Sequence, residues 1–241
     1  TLTVSNPGKR NALTWSMYVE LEQHLEVASA EPEIRVVMIR GTRDEGFAAG
    51  TMIDQLIEFD GDRGVDYERR IKRLFDVVRA VPVPLVALVR GVAAGGGLAL
   101  AAACDLVIAE EGARFGAPIA RTLGNSLPAH VIEMLARRVG PGFAARILYL
   151  SELVTAGELV ACGFVTRVVP VGALDEERAK LADDFRAMAP LSLRALKAIS
   201  TGIVASEFDD TEILRAVYGS ADFSRGVQAF ISRQKPKWEG N

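Results

Sequence analysis

"GVAAGGGLALAAACD" (residues 91–105) sets three consecutive glycines, Gly95, Gly96 and Gly97, directly ahead of Leu98 to Ala103, a run of strong helix formers. In a regular element each glycine costs roughly 0.5–1 kcal/mol relative to alanine, so a helix start that carries three needs a reason. Glycine lets a backbone approach a ligand closely and take positive φ without steric cost. A helix that begins there directs its free N–H groups and the positive end of its dipole toward whatever fills the turn. Such an arrangement holds a phosphate, or an oxygen that gains negative charge during a reaction. The stretch matches neither G-x-x-x-x-G-K-[ST] nor G-x-G-x-x-G, which argues against a phosphate loop. Helix–strand packing with no ligand is the alternative.

Working outward, "LVALVRG" (85–91) reads as a buried strand that feeds the glycines, and "IRVVMIRG" (34–41) echoes it. The earlier run also leads into a small-residue turn, "FAAGTMI" (47–53), and a third run, "DLVIAE" (105–110), precedes "ARFGAP" (113–118). Strand, turn and helix recur at irregular spacing, which indicates a coiled series of similar α/β units rather than a regular solenoid. Two such turns facing each other would form a two-donor oxyanion hole. Thr14 is a candidate N-cap for a helix with the stripe Leu21, Leu25 and Ala28, and His24 sits at the stripe's edge as a packed or half-exposed residue. Segment 58–80 starts with loop composition and becomes an amphipathic helix through Ile71, Leu74, Phe75 and Val78, its many charges forming a solvated face. Pro128 suits a first helical position and Gly140 a helix stop. From about 173 onward strand signals vanish. The division expected is a core over 1–172 and a helical oligomerisation region over 173–241, whose apolar residues include Phe223, Val227, Phe230 and Ile231.

The 241 residues, 49% of them hydrophobic, are enough to bury a large core, and the formal charge of −3 argues against nucleic acid or an anionic membrane surface as partner. The two cysteines, Cys104 and Cys162, are far apart and make neither a zinc pattern nor a disulfide framework, which suits a cytoplasmic protein. No apolar run is long enough to span a membrane. The chain opens with "TLTVSN", which already reads as mid-strand, so an N-terminal piece is expected to precede it.

Together, "SNPGKRNAL" (5–13), "IRVVMIRG", "FAAGTMI", "PLVALVRGVAAGGGLALAAACDLVIAE" (84–110), "ARFGAP", "LVTAGELVACGFVTRVVP" (153–170) and "SRGVQAFISRQKPKW" (224–238) give the whole chain a resemblance to the crotonase, or enoyl-CoA hydratase/isomerase, family. The resemblance implies a spiral of ββα units with a C-terminal helical region, a homotrimer or hexamer, and an acyl-coenzyme A substrate whose enolate is held at the thioester oxygen. Coenzyme A enters as part of the substrate, with no separate cofactor. By the same resemblance, the oxyanion donors are the backbone N–H groups of Thr51 and Gly96, flanked by Gly50 and Gly95. Lys9, Arg10 and Ala12 fall where the family meets the coenzyme, Ala48 where backbone meets adenine, and Arg233, with Lys235 nearby, where a C-terminal basic residue reaches it.

The departures matter as much. Ala99 and Ile119 stand where hydratases of the family carry two glutamates, and Met52 stands where an aspartate is usual. Hydration needs one group to deprotonate water while another protonates the neighbouring carbon, and neither hydrocarbon side chain exchanges protons. The loop "IARTLGNSLPAH" (119–130) is one residue longer than the pattern, and puts Arg121 and Asn125 at the expected pocket wall, as binders of an acidic acyl group or a water, or as loop supports. His130 and Glu133, at i and i+3, are a further candidate acid/base pair or a packing feature. Three functions stay open: an acyl-CoA hydratase- or isomerase-type enzyme, another chemistry on the fold such as hydrolysis or decarboxylation, and a non-catalytic acyl-CoA-binding protein.

Overall fold

The two strands that echo each other in sequence lie side by side. The computed structural model describes the chain apart from residues 58–60, 125, 205–215, 217–219 and 233. Strand β2 (Val37–Gly41) pairs in parallel with β3 (Leu85–Val89), with Val37 opposite Leu85 and Ile39 opposite Ala87. Strand β1 (Leu2–Val4) flanks β2, while β5 (Leu106–Glu110) and β8 (Arg167–Val169) continue beyond β3, so the parallel sheet runs β1-β2-β3-β5-β8. Every residue of β3 is buried, which explains its unbroken apolar sequence: both faces of a parallel sheet are covered.

A second sheet forms the next layer. Strand β4 (Val92–Ala94) runs parallel to β6 (Arg114–Gly116), and β7 (Leu153–Thr155) is antiparallel to β6. The chain passes from β3 to β4 and from β5 to β6 through tight bends at Gly91 and Gly112, both at positive φ. Two strands and then a helix, repeated, give the spiral of ββα units expected from the sequence.

Helix α1 (Trp15–Ala30) starts at Thr14, whose Oγ1 accepts the Met17 N–H at 3.3 Å, and buries Tyr18 with Leu21, Leu25 and Ala28. His24 is exposed. Helix α2 (Gly61–Ala80) begins within the stretch expected to be a loop; its buried face, Ile71, Leu74, Phe75 and Val78, outweighs the low helix propensity of Gly61 and Gly64. Helix α3 (Gly96–Ala103) is apolar all round because it is buried almost throughout. Residues Ile119–Thr122, read as loop, make one helical turn, α4. Pro128 caps α5 (Ala129–Tyr149) instead of occupying its first turn, and Gly140 (φ 78°, ψ 159°) breaks the helix at a kink from which Pro141 restarts it.

Helix α6 (Ala156–Val160) is capped reciprocally by Thr155 and Glu158. Helix α7 (Leu174–Arg186) lies on the sheet, where Leu174, Leu181 and Phe185 meet Met38, Val86, Leu88, Ile108 and Val169. Helix α8 (Pro190–Val204) is tied to the start of β5 by Lys197, whose Nζ is 2.5 and 2.7 Å from the Asp105 carboxylate oxygens. Residues after 172 are therefore packed onto the core at least through α8. Helix α9 (Ala221–Ile231) follows, and the side chains of Val227, Phe230 and Ile231 lie outside the described set. No helix among the described residues is long and apolar enough to cross a membrane.

Candidate active site

The turns that follow β2 and β3 are stitched together. The Ala48 N–H donates to Val92 O at 3.2 Å and the Ala94 N–H to Ala48 O at 3.0 Å. On the other side, the Leu13 N–H donates to Gly50 O (2.7 Å) and the Met52 N–H to Leu13 O (2.9 Å). These last two bonds straddle Thr51, and a residue straddled in a parallel bridge points its own N–H away from its partner. The Thr51 N–H donates to no backbone carbonyl among the described residues. Across from it, Gly95 spends its N–H on Gly116 O at 2.9 Å, leaving Gly96, first residue of α3, with a donor that has no intrahelical acceptor. The turns touch: a Cβ built on Gly95 would lie 3.7 Å from the Gly50 Cα.

The three glycines answer to three different constraints. Gly95 has φ +49°, where side chains are strained. At Gly97 a Cβ would lie 2.1 Å from Ala48 O, so helix–turn packing forbids one. At Gly96 a Cβ would meet the Tyr18 Oη at 2.7 Å and the Thr51 Oγ1 at 3.3 Å. Packing and an open donor position, alternatives from the sequence, both apply, at adjacent residues.

Hydroxyl groups line this spot. Thr51 Oγ1 is 2.7 Å from Tyr18 Oη and 2.8 Å from Tyr67 Oη, and the Tyr67 ring stands edge-on to Trp15 at 5.0 Å. Burial, and then the neighbouring Tyr67, push the Tyr18 phenol far above its ordinary range, and burial also raises Tyr67. Both stay neutral near pH 7 and serve as hydrogen-bond groups. The adjacent Glu68 is half-buried, and burial lifts its carboxyl to about 7. Sequence reasoning missed all three. Tyr18 continues the apolar stripe of α1, three residues before Leu21 and seven before Leu25, and Tyr67 and Glu68 were hidden in a charge-rich stretch. The available signal was that Tyr67 stands four residues before Ile71, on the buried face of α2.

The loop 5–13 is held against the first turn by the fully buried Asn11, whose Nδ2 donates to Gly46 O (2.8 Å) and Thr42 Oγ1 (3.0 Å). Arg10 O accepts the Ala49 N–H at 3.1 Å, so the structure brings Lys9, Arg10 and Ala12 beside Ala48 and Gly50. Glu45 accepts from the Gly8 and Arg10 N–H groups at 2.7 and 2.6 Å, a loop-ordering carboxylate that had no sequence signal. Met52 does not replace the aspartate chemically; the bridge to Leu13, and Gln55, whose side-chain oxygen accepts the Trp15 N–H at 3.2 Å, hold the turn.

Ala99 is buried within α3, and Ile119 opens α4. Arg121 is exposed and donates to Leu150 O at 2.8 Å, at the end of α5. Asn125 and Arg233 lie outside the described residues. His130 and Glu133 make no bond to each other among the described residues. The His130 ring packs against Phe75 (6.3 Å between centroids), with burial and then Lys72 lowering its pKa, while Glu133 is bonded to Arg137 at 2.9 Å.

Comparison with known proteins bears on the family and the fold. The enoyl-CoA hydratase/isomerase family model matches residues 1–241. The 2,3-dehydroadipyl-CoA hydratase of Escherichia coli is 31% identical over 99% of this chain and 94% of its own. Among solved structures, an enoyl-CoA hydratase/carnithine racemase from Magnetospirillum magneticum superposes with TM-score 0.93 at 29% identity, covering 99% of this chain and 91% of that one. An enoyl-CoA hydratase from Bacillus anthracis superposes with TM-score 0.88 at 28% identity, covering 99% and 94%. On the full-length family match and the shared spiral fold, this chain belongs to the enoyl-CoA hydratase/isomerase, or crotonase, family.

Proposed function

We propose that the protein is an enzyme that binds an acyl-CoA thioester, places the thioester oxygen between the Thr51 and Gly96 N–H groups, and stabilises the enolate formed there. The observation that carries this reading is the contact of two turns whose N–H groups at Thr51 and Gly96 are left without a backbone acceptor. Donors already aimed at a developing negative oxygen need no reorganisation during the reaction, and each is worth roughly 2.7–4 kcal/mol. Lys9 and Arg10 border the same turns and suit the phosphates of the coenzyme. With Ala99 and Ile119 at the two positions that matter for hydration, the chemistry favoured is proton transfer at carbon rather than addition of water. A homotrimer or hexamer in the cytoplasm completes the proposal.

The test is binding of acetyl-CoA by titration calorimetry to the parent protein and to Gly96→Val. The valine side chain would crowd the hydrogen-bonded Tyr18 Oη and Thr51 Oγ1, which a Cβ at this position meets at 2.7 and 3.3 Å. A weakening of at least tenfold, about 1.4 kcal/mol, is expected, and equal affinity would contradict the assignment.

A further inference from the structure

We infer that Tyr18 is a positioning residue of the oxyanion hole: its hydroxyl, bonded to Thr51 and seated against Gly96, sets the gap between the two N–H donors. The inference rests on the reading of Thr51 and Gly96 as those donors. One phenol oxygen touches both residues. Tyr18 Oη is 2.7 Å from Thr51 Oγ1, a hydrogen bond between side chains 33 residues apart. The same oxygen is the nearest atom to the open face of Gly96, 2.7 Å from a Cβ built there, with Thr51 Oγ1 next at 3.3 Å and Leu13 Cδ1 following at 3.7 Å.

The backbone alone leaves one motion open. Thr51 is held to Leu13 along one edge, by the bonds of the Leu13 and Met52 N–H groups. Two bonds on one edge act as a hinge. They fix that edge but let the strand tilt about it, and tilt carries the Thr51 N–H, on the opposite edge, toward or away from Gly96. A restraint off the hinge axis stops this. Thr51 supplies the lever, because a β-branched side chain has little freedom about χ1 and its hydroxyl is held twice, by Tyr18 at 2.7 Å and by Tyr67 at 2.8 Å. Gly96 has no side chain to be held by, so its spacing from Thr51 depends on what packs on its open face, and Tyr18 Oη does so.

A positioning group must itself be fixed, and Tyr18 is. It closes the first turn of α1, where its N–H donates to Thr14 O at 3.0 Å, and it is buried. Trp15 packs with its ring centroid 6.2 Å from that of Tyr18 and 5.0 Å from that of Tyr67, and its N–H is bonded to Gln55, just past the first turn, at 3.2 Å. Helices α1 and α2 and the turn after β2 thus meet in one cluster of rings and hydroxyls that ends at the hole. Donors stabilise a developing charge well because they need not move, and a misplacement of about 1 Å can cost about 10²-fold in rate.

The experiment reads the carbonyl stretch of butyryl-CoA, labelled at the thioester carbon and bound at saturation, by infrared difference spectroscopy. In the parent the band is expected below its frequency in water. Tyr18→Phe keeps the ring and removes only the oxygen. Its bound band is expected to return part of the way toward the water value, with affinity weakened by no more than about tenfold. Thr51→Val, which breaks the same bond from its other end and leaves the phenol in place, is expected to act likewise, and Thr51→Ser, which keeps a hydroxyl, to stay with the parent. Leu25→Ala, a cavity in the same helix two turns further on, should lower the melting temperature without moving the band. Either Tyr18→Phe or Thr51→Val carries the test alone if the other does not fold. A parent-like band in Tyr18→Phe or in Thr51→Val, loss of binding by both, or a band moved as far by Leu25→Ala or Thr51→Ser overturns the positioning role. A parent that does not bind butyryl-CoA, or binds it with no lowering of the band, instead defeats the oxyanion-hole reading beneath it, and the inference with it.

Discussion

Adding one methyl group at Gly97 is expected to damage the fold far more than adding one at Gly96, although the two glycines are neighbours. At Gly97 the new Cβ would lie 2.1 Å from Ala48 O and 2.9 Å from both the carbonyl carbon and the Cβ of Ala48. An ordinary contact would require the Ala48 backbone to retreat by more than an ångström. That backbone is held on both sides, by Ala48 N–H to Val92 O and by Ala94 N–H to Ala48 O. Retreat therefore loses one or both bonds, at about 0.5–1.5 kcal/mol each, on top of overpacking strain of about 1–3 kcal/mol. Gly97→Ala should cost about 3 kcal/mol or more, a large part of the stability of a typical domain. At Gly96 the obstacle is the Tyr18 hydroxyl at 2.7 Å, the end of a side chain. Gly96→Ala should cost about 1–2 kcal/mol, and in Gly96→Ala/Tyr18→Phe the two effects should fall short of additivity because the phenol oxygen is gone. Urea unfolding of five proteins, the parent, Gly97→Ala, Gly96→Ala, Tyr18→Phe and the double variant, measures all of this. Equal midpoints for Gly97→Ala and the parent would refute the packing argument, and strict additivity of the Gly96 and Tyr18 changes would refute the contact between them.

Crotonyl-CoA hydration, followed by loss of the conjugated thioester absorbance, should run well below an ordinary enzyme rate of roughly 10 s⁻¹; Ala99→Glu with Ile119→Glu should raise it, and a fast parent rate would mean another group handles the water. Arg90→Ala should destabilise by about 3 kcal/mol, because it strips the guanidinium, bonded at 2.8 and 3.2 Å, from a Glu110 side chain only 6% exposed. Burial opposes the charge on Glu110, but the Arg90 and Gly172 bonds prevail and hold its pKa below the usual value. That stabilisation is complete above the unfolded pKa and is lost as pH falls through the folded one, so the gap between Arg90→Ala and the parent in denaturant melts should narrow below about pH 4. Light scattering at micromolar concentration should show a trimer or hexamer, and a predominantly monomeric species would contradict the assembly.

The strands, the order of α/β units and the two facing turns were legible because each rests on local pattern. Apolar β-branched runs ending in glycine became β2 and β3, and their following turns became neighbours through Ala48 and Ala93. The misreadings came where tertiary contacts override composition. Gly61 and Gly64 became helical because the face of α2 from Ile71 to Val78 is buried, and "IART" took up one turn of helix after Pro118. At the site, backbone donors could be named from glycine and small-residue patterns. The side chains around them could not. Thr51, Tyr18 and Tyr67 come from three separate segments, and only their meeting within 2.8 Å shows that they form one group. Glu45 and Asn11 likewise act through bonds to backbone more than thirty residues away, which no local pattern announces.

The most direct test of the central claim is the carbonyl stretch of butyryl-CoA bound to the protein, isolated by infrared difference spectroscopy with the thioester carbon labelled. Two N–H groups, from Thr51 and Gly96, aimed at one oxygen polarise the C=O bond more than water does. The account predicts a band at lower frequency than for the same thioester free in water. A bound carbonyl at or above the frequency found in water would show that the oxygen does not sit between those two donors.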